Sequence, residues 1–288
     1  MNTQEEKTQG LTAKQYQYLL YLWKYEDIKG QQSAIADFFG INKVTVFQTL
    51  SLLESKGMVK KNRYSQIRLT KLGRETIGPM SCDFEELALW MTECYGIRQT
   101  DAELDAIRMV CAVSRCTVNR IVNTLILARC VQEHSSSEGV LRNIRDGRYV
   151  LPFKVFRKDG KTLSMGDRGF QKPLLLVKEG NVAVIEFLSC KIRHTGALGN
   201  LLSGQLARLW YAEEGVWHEV AQKDRRWVLP ARAMKFIQSG TAVEGRIRIR
   251  VQASCGVVNM PESEAVVHVG IRQNAENFST VQSMVSGS

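Results

Sequence analysis

Up to about residue 130 the apolar positions recur at intervals of three and four, and beyond Pro152 they alternate with polar ones. In the segment 11–27, Tyr16, Leu19, Leu20 and Trp23 stand at i, i+3, i+4 and i+7, one buried stripe on a first helix. Gly30 breaks the chain, and Ser33 to Gly40 reads as a short second helix ending on a glycine. Asn42 is placed to cap a third helix over 43–56, in which Val46, Leu50 and Leu53 form the inward stripe. Asn42, Lys43, Thr45, Phe47 and Gln48 cannot share that stripe and are predicted to face outward. After Gly57, the stretches 58–62 and 65–70 read as two short strands around Arg63-Tyr64.

Farther along, Phe84, Leu87, Met91 and Cys94 share one face of a helix over 84–95, and 100–113 continues as another. Ser114 is placed to cap a third over 117–131, carrying Val118, Ile121, Val122, Leu125 and Ile126. The polar, serine-rich run 133–139 predicts a linker over 133–150. Eight short strands follow, at 174–177, 182–188, 206–211, 216–220, 227–229, 234–237, 246–251 and 265–271. The pattern predicts an α+β chain of several domains: a winged helix-turn-helix over 1–78, a helical dimerisation region over 79–132, and a β-rich regulatory domain over 151–273. The β domain should be a sandwich or barrel-like, with a disordered tail over 274–288.

Helix, short helix, tight turn, helix and hairpin is the order of a DNA reader, whose third helix enters the major groove. Gln48 can pair with adenine, Thr45 with a base edge, and Phe47 can meet a thymine methyl. Lys43 at the helix start, with Lys60, Lys61 and Arg63 on the wing, suits phosphates.

Charge supports this division. The net charge of +10 comes from both ends of the chain: 10 Lys/Arg oppose 6 Asp/Glu in residues 1–70, 7 oppose 8 in 71–130, and 22 oppose 15 thereafter. Seven cysteines with no CxxC pair do not make a disulfide framework, the polar first ten residues lack a signal-peptide core, and no apolar run approaches a membrane span. A cytoplasmic protein with no membrane contact is expected. No nucleophile elbow, phosphate loop or HExxH motif is present, and the glycines of 196–204 are spaced wrongly for a dinucleotide fingerprint. The chain therefore reads as not an enzyme.

Several residues also resemble the bacterial repressor family that includes the diphtheria toxin repressor and the manganese transport regulator. They are Ile35-Ala36, Thr45-Val-Phe-Gln-Thr-Leu50, Leu53-Glu54, Gly57-Met-Val59, Tyr64, Ile67, Leu69-Thr70 and Gly73. The resemblance spans about 11–130 and implies a winged helix and a homodimer on a pseudo-palindromic double-stranded DNA site. It breaks at the metal ligands. The family's Glu-His pair falls on Val110 and Cys111, with Ile107 three positions earlier. The first helix offers Lys14 and Gln17, and the histidine of the next helix falls on Phe84. Manganese or iron activation is therefore not expected, and no cofactor is assigned.

Cys94, Cys111 and Cys116 lie on neighbouring predicted helices and leave open a thiol or soft-metal sensor, although free cysteines usually pack. The strand Arg246-Ile-Arg-Ile-Arg250 shows one basic and one apolar face, an ordinary half-exposed strand or a phosphate-facing strip. The reading is a dimeric transcription regulator whose β domain binds an unknown effector. A winged helix that docks protein rather than DNA is the other reading.

Overall fold

The computed structural model describes residues 10–62, 66–195, 201–239, 242–255 and 258–272. The chain is α+β and divides into two compact units between Val122 and Asn123. The first unit holds α1 (Ala13–Lys24), α2 (Gln31–Phe39), α3 (Lys43–Ser55), β1 (Val59–Lys61), β2 (Ile67–Leu69), α4 (Lys71–Tyr95) and α5 (Gln99–Ala112). The boundary falls inside α6 (Arg115–Glu133).

Thr12 starts α1 by a reciprocal cap: its hydroxyl accepts from Gln15 N while Gln15 Oε1 accepts from Thr12 N at 2.9 Å. The predicted stripe is out of phase here. Tyr18, Leu19, Leu20 and Leu22 are fully enclosed, whereas Tyr16 and Trp23 are half-buried. The helix is packed by α4 and α5 and also by α3 and β2, so most of its circumference is interior rather than one face. A carboxylate lies at this junction: Glu103 of α5 is 3% exposed, held by the Tyr25 hydroxyl and by Gln99 Nε2 at 3.1 Å. Burial, reinforced by that bond to Glu103, raises the Tyr25 phenol above its ordinary pKa.

The expected break at 78/79 is absent because α4 runs unbroken from Lys71 to Tyr95, with Pro79 inside it. Gly78 precedes Pro79 and has no Cβ to meet the proline ring, which makes the helical backbone tolerable there. Arg115 donates to the Pro79 carbonyl at 3.1 Å and pairs at 2.9 Å with the fully buried Asp83.

The second unit corrects the linker expectation. Residues 133–150 contain α7 (Ser137–Asn143), which buries Val140 and Leu141, and most of β3 (Gly147–Leu151). There follow β4 (Phe153–Arg157), β5 (Phe170–Glu179), β6 (Val182–Ser189), β7 (Ile192–Thr195), β8 (Leu201–Glu213), β9 (Val216–Glu219), β10 (Gln222–Lys223) and β11 (Arg226–Pro230). Then come β12 (Lys235–Ser239), β13 (Ala242–Cys255), β14 (Val258–Asn259) and β15 (Ser263–Arg272). A five-stranded sheet runs β10-β11-β6-β5-β3, and a second runs β4-β15-β13-β8-β7 with β12 and β14 on β13 and β9 on β8. The pairings are antiparallel, and among the described residues neither sheet closes into a barrel. Phe153 of β4 meets Phe187 of β6 at 5.3 Å and Phe170 of β5 at 6.2 Å between ring centroids, so an aromatic cluster joins the sheets. The tail from 274 onward lies outside the described residues.

Candidate nucleic-acid interface

Three features fix α3. Asn42 caps it by accepting from Val44 N at 2.8 Å, Gly40 ends α2 in the left-handed region (φ 65°), and Val46, Leu50 and Leu53 are fully buried. Asn42 is exposed as expected, but its side-chain oxygen is engaged as the cap. The opposite face presents Lys43, Phe47 and Gln48, all exposed, with Thr45 half-buried behind them. Sequence patterning assigned no face to Val44 and Leu52, yet both are exposed, Val44 by 60%, and Val44 makes an outward apolar pair with Phe47 at i, i+3.

The hairpin lies beside α3 in register Val59↔Leu69, Lys60↔Arg68, Lys61↔Ile67. Lys60 and Arg68 stand directly opposite each other and both are exposed. Like charges so placed cost some stability by themselves and are relieved by a polyanion. Arg68 was missed by motif reading, although its two-residue spacing from Gln66 and Thr70 puts it on the outer face. It makes one long contact, 3.5 Å, to the exposed Asp27. Lys43 and Lys60 have no carboxylate partner among the described residues. Lys61 departs from the expected free phosphate hand. Its ammonium sits 5.1 Å from the Phe47 ring centroid and 3.8 Å from Glu54, and its N–H donates to Glu54 at 3.2 Å. It therefore braces the hairpin against α3. Arg63 and Tyr64 lie outside the described residues.

Two buried groups position this hairpin. Gln31, at the start of α2 and 3% exposed, acts as a third strand: Nε2 donates to Ile67 O at 2.9 Å and Oε1 accepts from Ile67 N at 2.6 Å. The same Nε2 also donates to Glu26 O at 2.9 Å. Gly73, in the first turn of α4, lies so close to the hairpin that an added Cβ would come within 2.2 Å of Met58 O.

Three of the positions aligned with the resembling family's metal ligands are filled with hydrocarbon: Phe84, Ile107 and Val110 are core residues with no donor atoms. That set does not fit a divalent manganese or iron site, for which N and O ligands are needed. Among the described residues no group of three His, Cys, Asp or Glu side chains could hold a metal. Burial, only partly offset by Arg115, pushes the Cys111 thiol up to about 12.

The basic strand of β13 is occupied as well. Arg246 pairs with Glu244 at 2.6 Å, Arg250 with Glu262 and Glu264 at 3.4 Å, and Arg248 and Arg250 lie over the Trp217 ring at 5.6 and 4.5 Å. It is a half-exposed strand with its charges mostly matched. Among the described residues no helix is long and apolar enough to cross a membrane.

No protein-family model matches the chain, and no curated protein matches it. Among solved structures it is similar to the manganese regulator SloR at 12% identity, over 77% of this chain and 99% of that one, with a TM-score of 0.31. It is also similar to the NEAT5 domain of IsdX2, a B. anthracis hemophore in complex with heme (12% identity, 45% of this chain, 100% of that one, TM-score 0.28). A third is the hypothetical protein SSo2273 from Sulfolobus solfataricus (23% identity, 40% of this chain, 89% of that one, TM-score 0.27). These likenesses are too slight to transfer a fold or a function.

Proposed function

We propose that the chain is a DNA-binding transcription regulator, in which residues 10–78 form a winged helix-turn-helix and α3 reads the major groove of a pseudo-palindromic site as part of a homodimer. The observation that carries this reading is the outward face of α3. Lys43, Val44, Phe47 and Gln48 project from a helix anchored by Val46, Leu50 and Leu53, beside a hairpin on which Lys60 and Arg68 stand side by side. Cations at the flanks give affinity without sequence, while Gln48 and the apolar pair supply base contacts.

Sites selected from random duplex DNA test it. Gln48→Ala should cost about 1–3 kcal/mol on the selected site and relax base choice at one position. Lys60→Ala should weaken all duplexes alike and reduce the salt slope by about one unit. Unchanged specific affinity in Gln48→Ala would remove α3 from the groove. The exposed apolar side chains of Val44, Phe47 and Leu52 favour one other reading, a protein-docking face, and a chain whose duplex binding shows no salt dependence would point there.

Metal response is a separate outcome. Since Phe84, Ile107 and Val110 offer no ligand atoms, manganese or ferrous iron should leave operator affinity unchanged. A tightening of about tenfold by either ion, reversed by a chelator, would contradict this.

A further inference from the structure

The outer face of the larger sheet carries two neighbouring rows of unlike chemistry. In the first, Lys235 of β12 stands opposite Arg246 of β13, Arg246 opposite His268 of β15, and His268 opposite Lys154 of β4. Directly paired residues of antiparallel strands share a face, so these basic side chains form one line across the sheet, about 14 Å long at the usual strand spacing. Lys235, Arg246 and Lys154 are exposed. Burial, opposed by Glu244, holds the His268 imidazole below its ordinary pKa, so the charge of the line comes from the other three.

That charge is poorly matched. Among the described residues, Glu244 is the one carboxylate paired with the line, 2.6 Å from Arg246 and 3.7 Å from His268. Lys154 and Lys235, like Arg248 one row away, have no carboxylate partner among the described residues. Lys235 and Arg246 are like charges directly opposite each other, which costs stability until an anion lies across them. Elsewhere on the face the cations are answered: Lys158 by Glu264 at 3.0 Å, Arg250 by Glu262 and Glu264 at 3.4 Å, and Arg208 by Glu219 at 2.7 Å. The surplus is confined to one strip.

The second row lies beside it, two residues along each strand. Phe156, Val266 and Arg248 are partners across β4, β15 and β13, and Leu163 bridges to Phe156 from the loop after β4. Phe156 and Val266 are half-buried and Leu163 is 52% exposed. The Phe156 ring lies 4.6 Å from the His268 imidazole, so flat aromatic surface reaches from the apolar row to the basic one.

We propose that this face binds a single-stranded polynucleotide, with its phosphates along Lys154, Arg246 and Lys235 and its bases against Phe156 and Leu163. A single strand offers both halves of that chemistry, a line of anions and unstacked rings beside it. A duplex would meet the cations but keep its bases inside, and an acidic polypeptide brings carboxylates without rings. The proposal goes beyond the reading of α3 and does not depend on it.

Fluorescence anisotropy of a labelled oligothymidylate of about 20 nucleotides, titrated with the full chain, tests it. The surface triple variant Lys154→Gln/Lys235→Gln/Arg248→Gln should weaken binding about tenfold or more and lower the salt slope by about two units. Lys43→Gln/Lys60→Gln, in the N-terminal unit, should leave oligothymidylate binding unchanged, so a failure of the α3 reading does not touch this result. An abasic chain of the same length keeps every phosphate and should bind about tenfold or more weakly than oligothymidylate. Undiminished binding by the triple variant overturns the proposal, as does a response that follows Lys43 and Lys60 instead. Equal affinity for the abasic chain, or equal competition by polyglutamate at matched charge, would reduce the strip to a general anion surface and overturn it too.

Discussion

Gly73→Ala should destabilise the N-terminal unit by about 3 kcal/mol or more, a large effect for one methyl group. The reason is where α4 begins. Thr70 caps the helix by accepting from Gly73 N at 3.1 Å, while its own N–H donates to Met58 O at 3.0 Å. The first turn of α4 is thereby pressed against the carbonyl that closes the hairpin. The new Cβ would stand 2.2 Å from that oxygen and 3.1 Å from its carbon, and neither is a side-chain tip that can swing aside. Either the cap opens or the hairpin moves. Calorimetric unfolding should show the first transition lowered by roughly 10 °C or more, by the usual proportion between stability and midpoint. A loss below about 1 kcal/mol would mean the turn yields freely and does not position the hairpin.

Gln31→Leu should cost about 2–4 kcal/mol, because one side chain satisfies both backbone groups of Ile67 and the carbonyl of Glu26. A leucine of similar volume fills the space and leaves those groups buried and unmade. If the hairpin also carries phosphate contacts, duplex affinity should fall while Gln48-dependent base choice persists. Urea titration with paired binding measurements separates these outcomes. A variant as stable as the parent would show that water replaces the amide and that Gln31 is dispensable to the hairpin.

Both residues illustrate what sequence pattern can and cannot carry. Helices α1, α2, α3 and α5, the C-terminal half of α4, and the strands β5, β6, β8, β9, β11, β12, β13 and β15 fall where periodicity predicts them, whereas residues 71–83 of α4 were not expected to be helical. Long segments with one buried face repeat their period often enough to be recognised. The pieces that escaped are short or lie in polar surroundings: α7 has only Val140 and Leu141 to bury, β10 has two residues, and β3 begins inside a charged stretch. The phase of α1 was missed because a helix packed on several sides has no single stripe.

For the candidate interface, the inward triad of α3 and the exposure of Lys43, Phe47, Gln48 and Lys60 were legible from spacing. The pairing of Lys61 with Phe47 and Glu54 was not, since it depends on how the hairpin lies against the helix. Gln31 was invisible for the same reason. A glutamine that completes a sheet is defined by tertiary surroundings and leaves no trace in composition.

The alternation in β13 has a consequence for the chain before it folds. Among the described residues this is the longest strand, 14 residues, and its inward set includes Val243, Ile247, Ile249 and Val251. A nascent segment so rich in branched aliphatics is the kind that stacks with its own copies into cross-β assemblies. Arg246, Arg248 and Arg250 set a positive charge at every second position of that run, and identical strands brought into register would place those charges one above another. In the native sheet the same guanidinium groups are absorbed by Glu244, Glu262, Glu264 and the face of Trp217. So placed, the arginines would oppose in-register self-association of the strand until its intramolecular partners arrive.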